Sequence, residues 1–226
     1  MRTLGVSSRA VDASYSFEYG DALFIIIDTF CSEAPTELAW LTSVLSSNTR
    51  KWVFAFLHAP IYSTGGHSGA DLQSSYNALF EAYDVNAVFS GHTHIVSVNH
   101  PIDDGVIVPF YADGVLYFNT AGTNYNSDRD DALSAKPFQS WLQPGDGLPV
   151  ATLVSVSDQE VVIDTYNYLT GATYHTLTIP PRTSRASGTA PLVRSLSTGD
   201  LWALASLFAL CGAVTAGRAR AAIREP

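Results

Sequence analysis

Continuous apolar runs alternate with amphipathic stretches along the first half of the chain. The runs at 23–28 and 52–57 are apolar almost throughout, which is typical of strands that are buried on both faces of a sheet. A third run, at 86–90, has the same character. Gly20 and Asp21 separate a strand pattern at 15–19 from the run at 23–28 and predict a hairpin turn.

Two amphipathic stretches between these runs predict helices. Residues 37–45 place Leu38, Leu41 and Leu45 on one face, and Thr36 is a candidate N-cap. Residues 72–83 carry an apolar stripe that consists of Leu72, Tyr76, Leu79, Phe80 and Tyr83. The predicted order β-β-α-β-α-β indicates an α/β protein whose parallel strands end on one rim.

After residue 100 the pattern changes to short strands that are separated by turn residues. The predicted strands are 106–111, 115–119, 151–157, 160–168 and 173–179. The last two flank Gly171 and Ala172 and are expected to form a hairpin. Residues 124–147 are polar and irregular, and we expect a surface loop near the rim.

The carboxyl-terminal part divides into three segments after a domain at 1–180. Residues 181–200 have the composition of a flexible linker, 201–217 are 17 uncharged, mostly apolar residues, and 218–226 form a basic tail. A helix of 17 residues is roughly 25 Å long, a little short for a hydrocarbon core of about 30 Å. The segment 201–217 is therefore predicted to be a transmembrane helix or, alternatively, an apolar helix that docks on protein. If it spans a membrane, the arginines that follow place the domain at 1–180 on the extracytosolic side.

Composition excludes some partners. The formal net charge of -9 argues against a surface that binds nucleic acid. The first residues lack an apolar core, so no signal peptide is indicated. The chain has 46% hydrophobic residues, enough for a sizeable core, whereas its two cysteines are far apart and do not indicate a disulfide scaffold.

Three histidines follow the predicted parallel strands. His58 comes directly after the strand at 52–57, and His92 and His94 follow the strand at 86–90. The i, i+2 spacing of His92 and His94 puts both imidazoles on one side of an extended segment, and Gly91 leaves room for an ion. Together these residues predict a divalent or trivalent metal site. His100 and His175 are expected to be structural.

These motifs, taken in order, resemble the carboxyl-terminal half of a calcineurin-like metallophosphoesterase of the purple acid phosphatase branch. The resemblance extends from about residue 15 to 124 and is carried by Tyr15–Asp21, Phe24–Thr29, Glu37–Leu41, Leu57–Tyr62 and Ser90–His94. It implies a partial four-layer α/β/β/α sandwich with a dinuclear metal centre of iron, zinc or manganese at the strand ends. The linker and the apolar C-terminal helix lie outside it.

The same resemblance assigns roles to individual residues. His58 and His92 resemble the histidines on the divalent-metal side, and His94 resembles the histidine on the other metal. His67 matches a position that faces the phosphate or the leaving group, or it is a solvated loop residue. Asn119 begins a segment that closes the sheet, for which a structural role is expected.

The sequence also departs from the family pattern. The family's motifs Gly-Asp, Gly-Asp-x-x-Tyr and Gly-Asn-His-Glu/Asp are absent, and Asp21 and Asp28 do not replace them by position. We therefore expect a partial domain that lacks the amino-terminal half, holds at most one metal ion and is weakly active or inactive alone.

The predicted function is that of a metal-dependent phosphoric ester hydrolase, acid phosphatase-like, which works by attack of a metal-activated hydroxide on phosphorus. Its expected substrate is a small phosphate ester. The alternatives are a phosphodiesterase or nucleotidase of the same superfamily, or a non-catalytic membrane-tethered remnant. The sequence does not indicate an oligomeric state.

Overall fold

The apolar runs form a large sheet with two buried faces in the computed structural model. The structure describes residues 6–9, 14–29, 34–62, 76–93, 95–120, 137–142 and 149–182, all of which belong to one compact unit at 1–184. The strands in chain order are β1 (Val6–Arg9), β2 (Tyr15–Tyr19), β3 (Ala22–Ile27), β4 (Trp52–Leu57), β5 (Ala87–Ser90), β6 (Ser97–Asn99), β7 (Ile102–Asp103), β8 (Val106–Ile107), β9 (Leu116–Asn119), β10 (Gln139–Leu142), β11 (Val150–Val156), β12 (Val161–Asn167) and β13 (Thr173–Ile179). The helices are α1 (Ala34–Ser46) and α2 (Ala78–Ala82).

Within the described residues the strands form three sheets. The large sheet has the order β1-β2-β3-β4-β5-β9-β6-β10, in which β3, β4, β5 and β9 are parallel. Strands β11, β12 and β13 form an antiparallel three-stranded sheet, and β7 and β8 form a short ribbon. The hairpin predicted around Gly171 and the strand-helix-strand unit that ends in β5 are confirmed.

Alternating side chains of the large sheet build two separate cores. Ile25, Ala55 and Val88 face α1 and α2, where they pack with Leu41 and Phe80. The other face turns Trp52, Phe54, Phe89 and Phe118 toward the three-stranded sheet, where they pack with Ile163 and related residues. Because side chains alternate with a period of two, one strand supplies both cores. The described part is thus an α/β/β arrangement, three of the four predicted layers.

Helix α1 begins at Ala34, so the prediction that Thr36 caps it is wrong. Thr36 lies inside the helix and is exposed. The physical reason is Pro35, whose fixed φ and missing N–H suit the first turn of a helix. Glu37 follows in that first turn, is buried, and accepts hydrogen bonds from Ser14 and Tyr76.

Two other expectations for the second half of the chain need correction. The strand predicted at 106–111 is only the two-residue β8, and Pro109 cannot donate to a ladder. The expected loop at 124–147 contains β10, which pairs with β6 at the edge of the large sheet. The helix predicted at 72–83 is described only from residue 76, and α2 occupies 78–82.

Arg182, just beyond β13, connects the three-stranded sheet to the large one. Its guanidinium donates to a carboxylate oxygen of Asp84 at 3.0 Å and to the carbonyl oxygen of Val85 at 2.8 Å. The Arg182 side chain is 8% exposed. The Asp84 side chain is 37% exposed, so solvent still screens its side of the pair.

The predicted linker at 181–200 lies outside the described residues from 183 onward, as do the predicted membrane helix at 201–217 and the basic tail. Among the residues that the structure describes, no helix is both long enough and apolar enough to cross a membrane. The membrane-anchored location remains a prediction from the sequence.

Leu41 of α1 and Leu153 of β11 allow a matched test of the first core. Leu41 is fully buried, whereas Leu153 is 53% exposed. We expect Leu41→Ala to lower the free energy of unfolding by about 2–5 kcal/mol because it leaves a cavity. Leu153→Ala should change it by roughly 0.5 kcal/mol or less. Urea unfolding of both variants measures the difference, and equal losses would contradict the assigned core.

His175 predicts a pH dependence of stability. Its ring stacks on Trp141 with centroids 4.5 Å apart, and its Nδ1 is buried without a hydrogen-bond partner among the described residues. Burial lowers the pKa of His175. Because the unfolded chain then binds the proton more readily than the folded one, stability falls as the pH drops below the usual imidazole pKa of about 6.5.

We expect His175→Phe, which keeps a stacked ring, to make unfolding less sensitive to acid than in the wild type. Melting temperatures measured between about pH 7.5 and about pH 5 test this. His100→Phe at an exposed position is the control and should keep the wild-type acid sensitivity. An identical acid dependence in His175→Phe and the wild type would refute the assignment.

Candidate metal centre

The parallel pairing of β4 and β5 brings the two histidine-bearing segments together. Phe56 lies opposite Phe89 in the ladder, so the residues that follow these strands leave the same edge of the sheet. The N–H of Gly91 donates to the carbonyl oxygen of His58 at 3.0 Å, which continues the ladder one step beyond the strands. The backbone thus fixes where both side chains begin.

The imidazoles of His58 and His92 converge at this edge. His58 Nε2 and His92 Nδ1 are 3.0 Å apart, and the ring centroids are 4.9 Å apart with an interplanar angle of 66°. At this separation one ring can donate an N–H to the other, with roles set by the tautomers. The sequence predicted this meeting from strand order.

His92 reaches this position through an unusual backbone turn. Its φ is 66°, in the left-handed region that residues other than glycine seldom adopt. The N–H of Thr93 donates to the carbonyl oxygen of Gly91 at 2.7 Å and closes a three-residue turn around His92. Turns of this kind with a positive φ at the centre are rare and strained. Such strain is concentrated at functional sites.

The described surroundings of Gly91 leave room for a side chain. A Cβ built at Gly91 would meet only the carbonyl oxygen of Thr120, at 4.0 Å. The described surroundings therefore do not themselves require a glycine here. That Gly91 leaves room for an ion or a second loop stays a prediction from the sequence.

The geometry of the pair fits a shared metal ion. Histidine nitrogens bind zinc at about 2.0–2.1 Å, so two nitrogens on one ion lie about 2.9 Å apart at a right angle and about 3.4 Å apart at the tetrahedral angle. The observed 3.0 Å between His58 Nε2 and His92 Nδ1 falls within this range. Imidazole nitrogens also suit zinc and iron chemically.

The structure does not test the other predicted site residues. His67 and His94 lie outside the described residues, and their roles remain predictions. Within the described part of the chain, no group of three or more His, Cys, Asp or Glu side chains could hold a metal. His100 is exposed, and His175 stacks on Trp141 in the three-stranded sheet.

A cavity of about 460 Å³ opens beside His58, between the large sheet and β11. Its walls are mainly apolar, with polar groups at the rim; they comprise Ile26, Ile27, Phe56, Leu57, His58, Phe89, Ser90, Gly91, Thr120, Thr152 and Val154. This volume is within the usual range of small-molecule sites, about 300–1,000 Å³. A small ester could therefore occupy space next to His58.

Comparison with known proteins identifies this part of the chain. Residues 6–96, which include β1 to β5 and the histidine pair, match the family model of the calcineurin-like phosphoesterases. The match covers less than half of the chain. Over these residues the match confirms the family resemblance that the sequence motifs indicated.

Solved structures agree on the calcineurin-like fold. The purple acid phosphatase PPD1 from yellow lupin (Lupinus luteus) superposes with a TM-score of 0.61 and 17% identity, over 75% of this chain and 33% of that chain. GAP50, the anchor in the inner membrane complex of Plasmodium, gives a TM-score of 0.56 and 18% identity, over 73% of this chain and 50% of that chain. The chain thus spans between a third and a half of these structures. At such identities the likeness concerns the fold.

Four polar residues behind the calcineurin-like site were not predicted to act there: Ser90, Ser97, Asn119 and Thr120. Ser90 Oγ donates to Asn119 Oδ1, and Asn119 Nδ2 donates to Ser97 Oγ at 2.8 Å. Thr120 donates its N–H and its Oγ1 hydroxyl to the carbonyl oxygen of Ser90, at 2.7 and 3.0 Å. For Ser90 and Asn119 the sequence offers one signal, which is a polar residue at the end of an apolar strand.

The histidine pair predicts a measurable metal affinity. We expect Zn²⁺ to bind the metal-free protein and His58→Ala or His92→Ala to weaken binding by more than the roughly 10–100-fold typical of outer-shell changes. Isothermal titration calorimetry measures this affinity. His100→Ala, at an exposed position, should bind within about twofold of wild type. Wild-type affinity in both site variants would rule out this centre.

Proposed function

We propose that this chain carries the histidine side of a phosphoric ester hydrolase centre of the acid phosphatase-like type. The observation that supports this proposal is that His58 and His92 converge at the carboxyl ends of β4 and β5, within the residues 6–96 that match the calcineurin-like family model. In sheets with parallel strands, this edge is where ligands bind. The proposed substrate is a small phosphate monoester.

His58 and His92 would hold a metal ion, whereas the resemblance assigns His94 to the other metal of the family's dinuclear centre. A bound iron, zinc or manganese ion would supply positive charge for the phosphate and make a water molecule more acidic. The protein's part is to fix the two imidazoles and to provide the adjoining cavity for the ester.

The backbone around the site supports the requirement for a metal ion. The N–H groups of Gly91, Thr93 and Thr120 all donate to carbonyl oxygens of neighbouring segments. They are therefore not directed at a bound phosphate, unlike the amides of a phosphate-binding loop. The whole chain has a formal charge of -9. A bound cation is thus the suitable source of positive field for an anionic ester.

The apolar wall of the cavity would contact the part of the ester that leaves. Phe56, Phe89 and Val154 belong to this wall, and His58 also lines the cavity. His67 remains a candidate for the group that gives a proton to the leaving oxygen.

Assays of ester hydrolysis distinguish two alternatives to this proposal. A phosphodiesterase or nucleotidase would share the histidine pair and differ in the loops at the rim. A non-catalytic protein would retain the fold without turnover. One structural neighbour is named as a phosphatase and another as an anchor, so the fold is compatible with both.

The proposal predicts slow metal-dependent hydrolysis of p-nitrophenyl phosphate by the full chain. We expect turnover after addition of Zn²⁺, Mn²⁺ or iron, loss of turnover with a chelator, and at least about a 100-fold reduction in His58→Ala and His92→Ala. His100→Ala should retain the wild-type rate, because His100 is exposed on a different segment.

Parallel assays with bis(p-nitrophenyl) phosphate and mononucleotides decide between the substrate classes. A monoester preference supports the proposal, and faster diester or nucleotide hydrolysis supports the first alternative. Metal binding without hydrolysis of any of these esters would contradict the enzymatic proposal and leave the non-catalytic one.

A further inference from the structure

Asn119 lies behind the histidine pair as the last residue of β9. It is 2% exposed, and its amide contacts three different segments. Its Oδ1 accepts from Ser90 Oγ, and its Nδ2 donates to Ser97 Oγ at 2.8 Å and to the carbonyl oxygen of Tyr62 at 3.2 Å. Both amide hydrogens and the oxygen are therefore used, which makes this a fully connected buried network.

The three partners enclose the segments that carry the histidines. Ser90 is the residue before Gly91, and Ser97 is the first residue after the loop that contains His92. Tyr62 lies four residues after His58, at the end of the described range 34–62. One amide group therefore ties both ends of the His92 loop to the far end of the His58 segment.

The strained turn at His92 depends on fixed ends. A left-handed φ at a histidine persists only where the surrounding structure holds the chain on both sides. Asn119 and Thr120 hold the incoming side through Ser90, and Asn119 holds the outgoing side through Ser97. A metal-binding pair needs placement within about 0.5 Å, so a small relaxation of this loop would separate the imidazoles.

The sheet does not depend on this side chain for its pairing. β9 is bound to β5 by a parallel ladder and to β6 by an antiparallel ladder, both through the backbone. The Asn119 amide adds contacts to Tyr62 and to two serine hydroxyls that those ladders do not require. If Asn119 only closed the sheet, its hydrogen bond to the carbonyl oxygen of Tyr62, in the segment that follows His58, would not be needed.

We propose that Asn119 is a positioning residue that sets the separation and mutual orientation of His58 and His92. It acts through Ser90, Ser97 and the backbone of Tyr62, and its catalytic consequence rests on the proposed function. The placement of the imidazoles by Asn119 is a property of the metal-free protein and can be measured without substrate.

Asn119→Asp is the informative variant because it preserves size and the Oδ1 acceptor and replaces the NH2 group, which donates both of its N–H bonds, with an acceptor oxygen. Asn167→Asp is its matched control. Asn167 is also the last residue of a strand, is 8% exposed, and donates its Nδ2 to Tyr174 Oη at 2.9 Å, in the three-stranded sheet. Both substitutions remove donors from a buried amide at a strand end, and only one of these lies behind the histidines.

We expect Asn119→Asp in the full chain to bind Zn²⁺ about 10–100-fold more weakly than wild type by isothermal titration calorimetry, as outer-shell changes do. The ¹⁵N signals of His58 and His92 in the metal-free protein should shift. Asn167→Asp should show a comparable loss in melting temperature, with wild-type Zn²⁺ affinity and unshifted histidine signals.

If Asn119→Asp binds Zn²⁺ within twofold of wild type and leaves the histidine signals in place, the positioning role is wrong. If it does not fold, Ser97→Ala and Ser90→Ala, which each remove one partner, decide by the same two readouts. If wild type neither binds Zn²⁺ nor hydrolyses phosphate esters, the proposed function fails, while the histidine signals still test the placement by Asn119.

Discussion

The candidate site depends on the parallel, in-register pairing of β4 and β5. Parallel strands deliver their carboxyl ends to one edge, so the residues after Leu57 and Ser90 emerge side by side. The bond from the Gly91 N–H to the His58 carbonyl oxygen carries the ladder past the strands and leaves little freedom in where each histidine begins. An antiparallel pairing of the same strands would put the two residues at opposite edges.

This pairing is stabilised because each central strand is held from both sides. In β4, Ala55 and Leu57 pack toward the helices, whereas Trp52 and Phe54 pack toward the three-stranded sheet. Burial of both faces fixes the register, since a shift by one residue would exchange the two sets of side chains. The two cores therefore act on the site even though most of their residues are remote from it.

How far the structure follows from the sequence can be seen from individual elements. β4, β5 and β13 were predictable because their apolar or alternating residues record burial directly. β6 and β10 are short and partly polar. Among the described strands β6 pairs with β9 and β10, and β10 pairs with β6, so their strand character depends on distant partners. The meeting of His58 and His92 followed from strand order. The role of Asn119 did not, because β9 inserts between β5 and β6 in space although β6 precedes it in the chain.

The Arg182 contact fixes one end of β5 at a known distance from the candidate site. Asp84 and Val85 lie just before β5, whereas His92 follows its end, so the length of the strand, about 13 Å, separates the anchoring point of Arg182 from the rim. Arg182, the last described residue, is therefore held at the edge of the sheet opposite the imidazoles. One strand thus carries an ion pair before its first residue and the candidate metal site after its last, so a change at either end can reach the other through four residues of backbone.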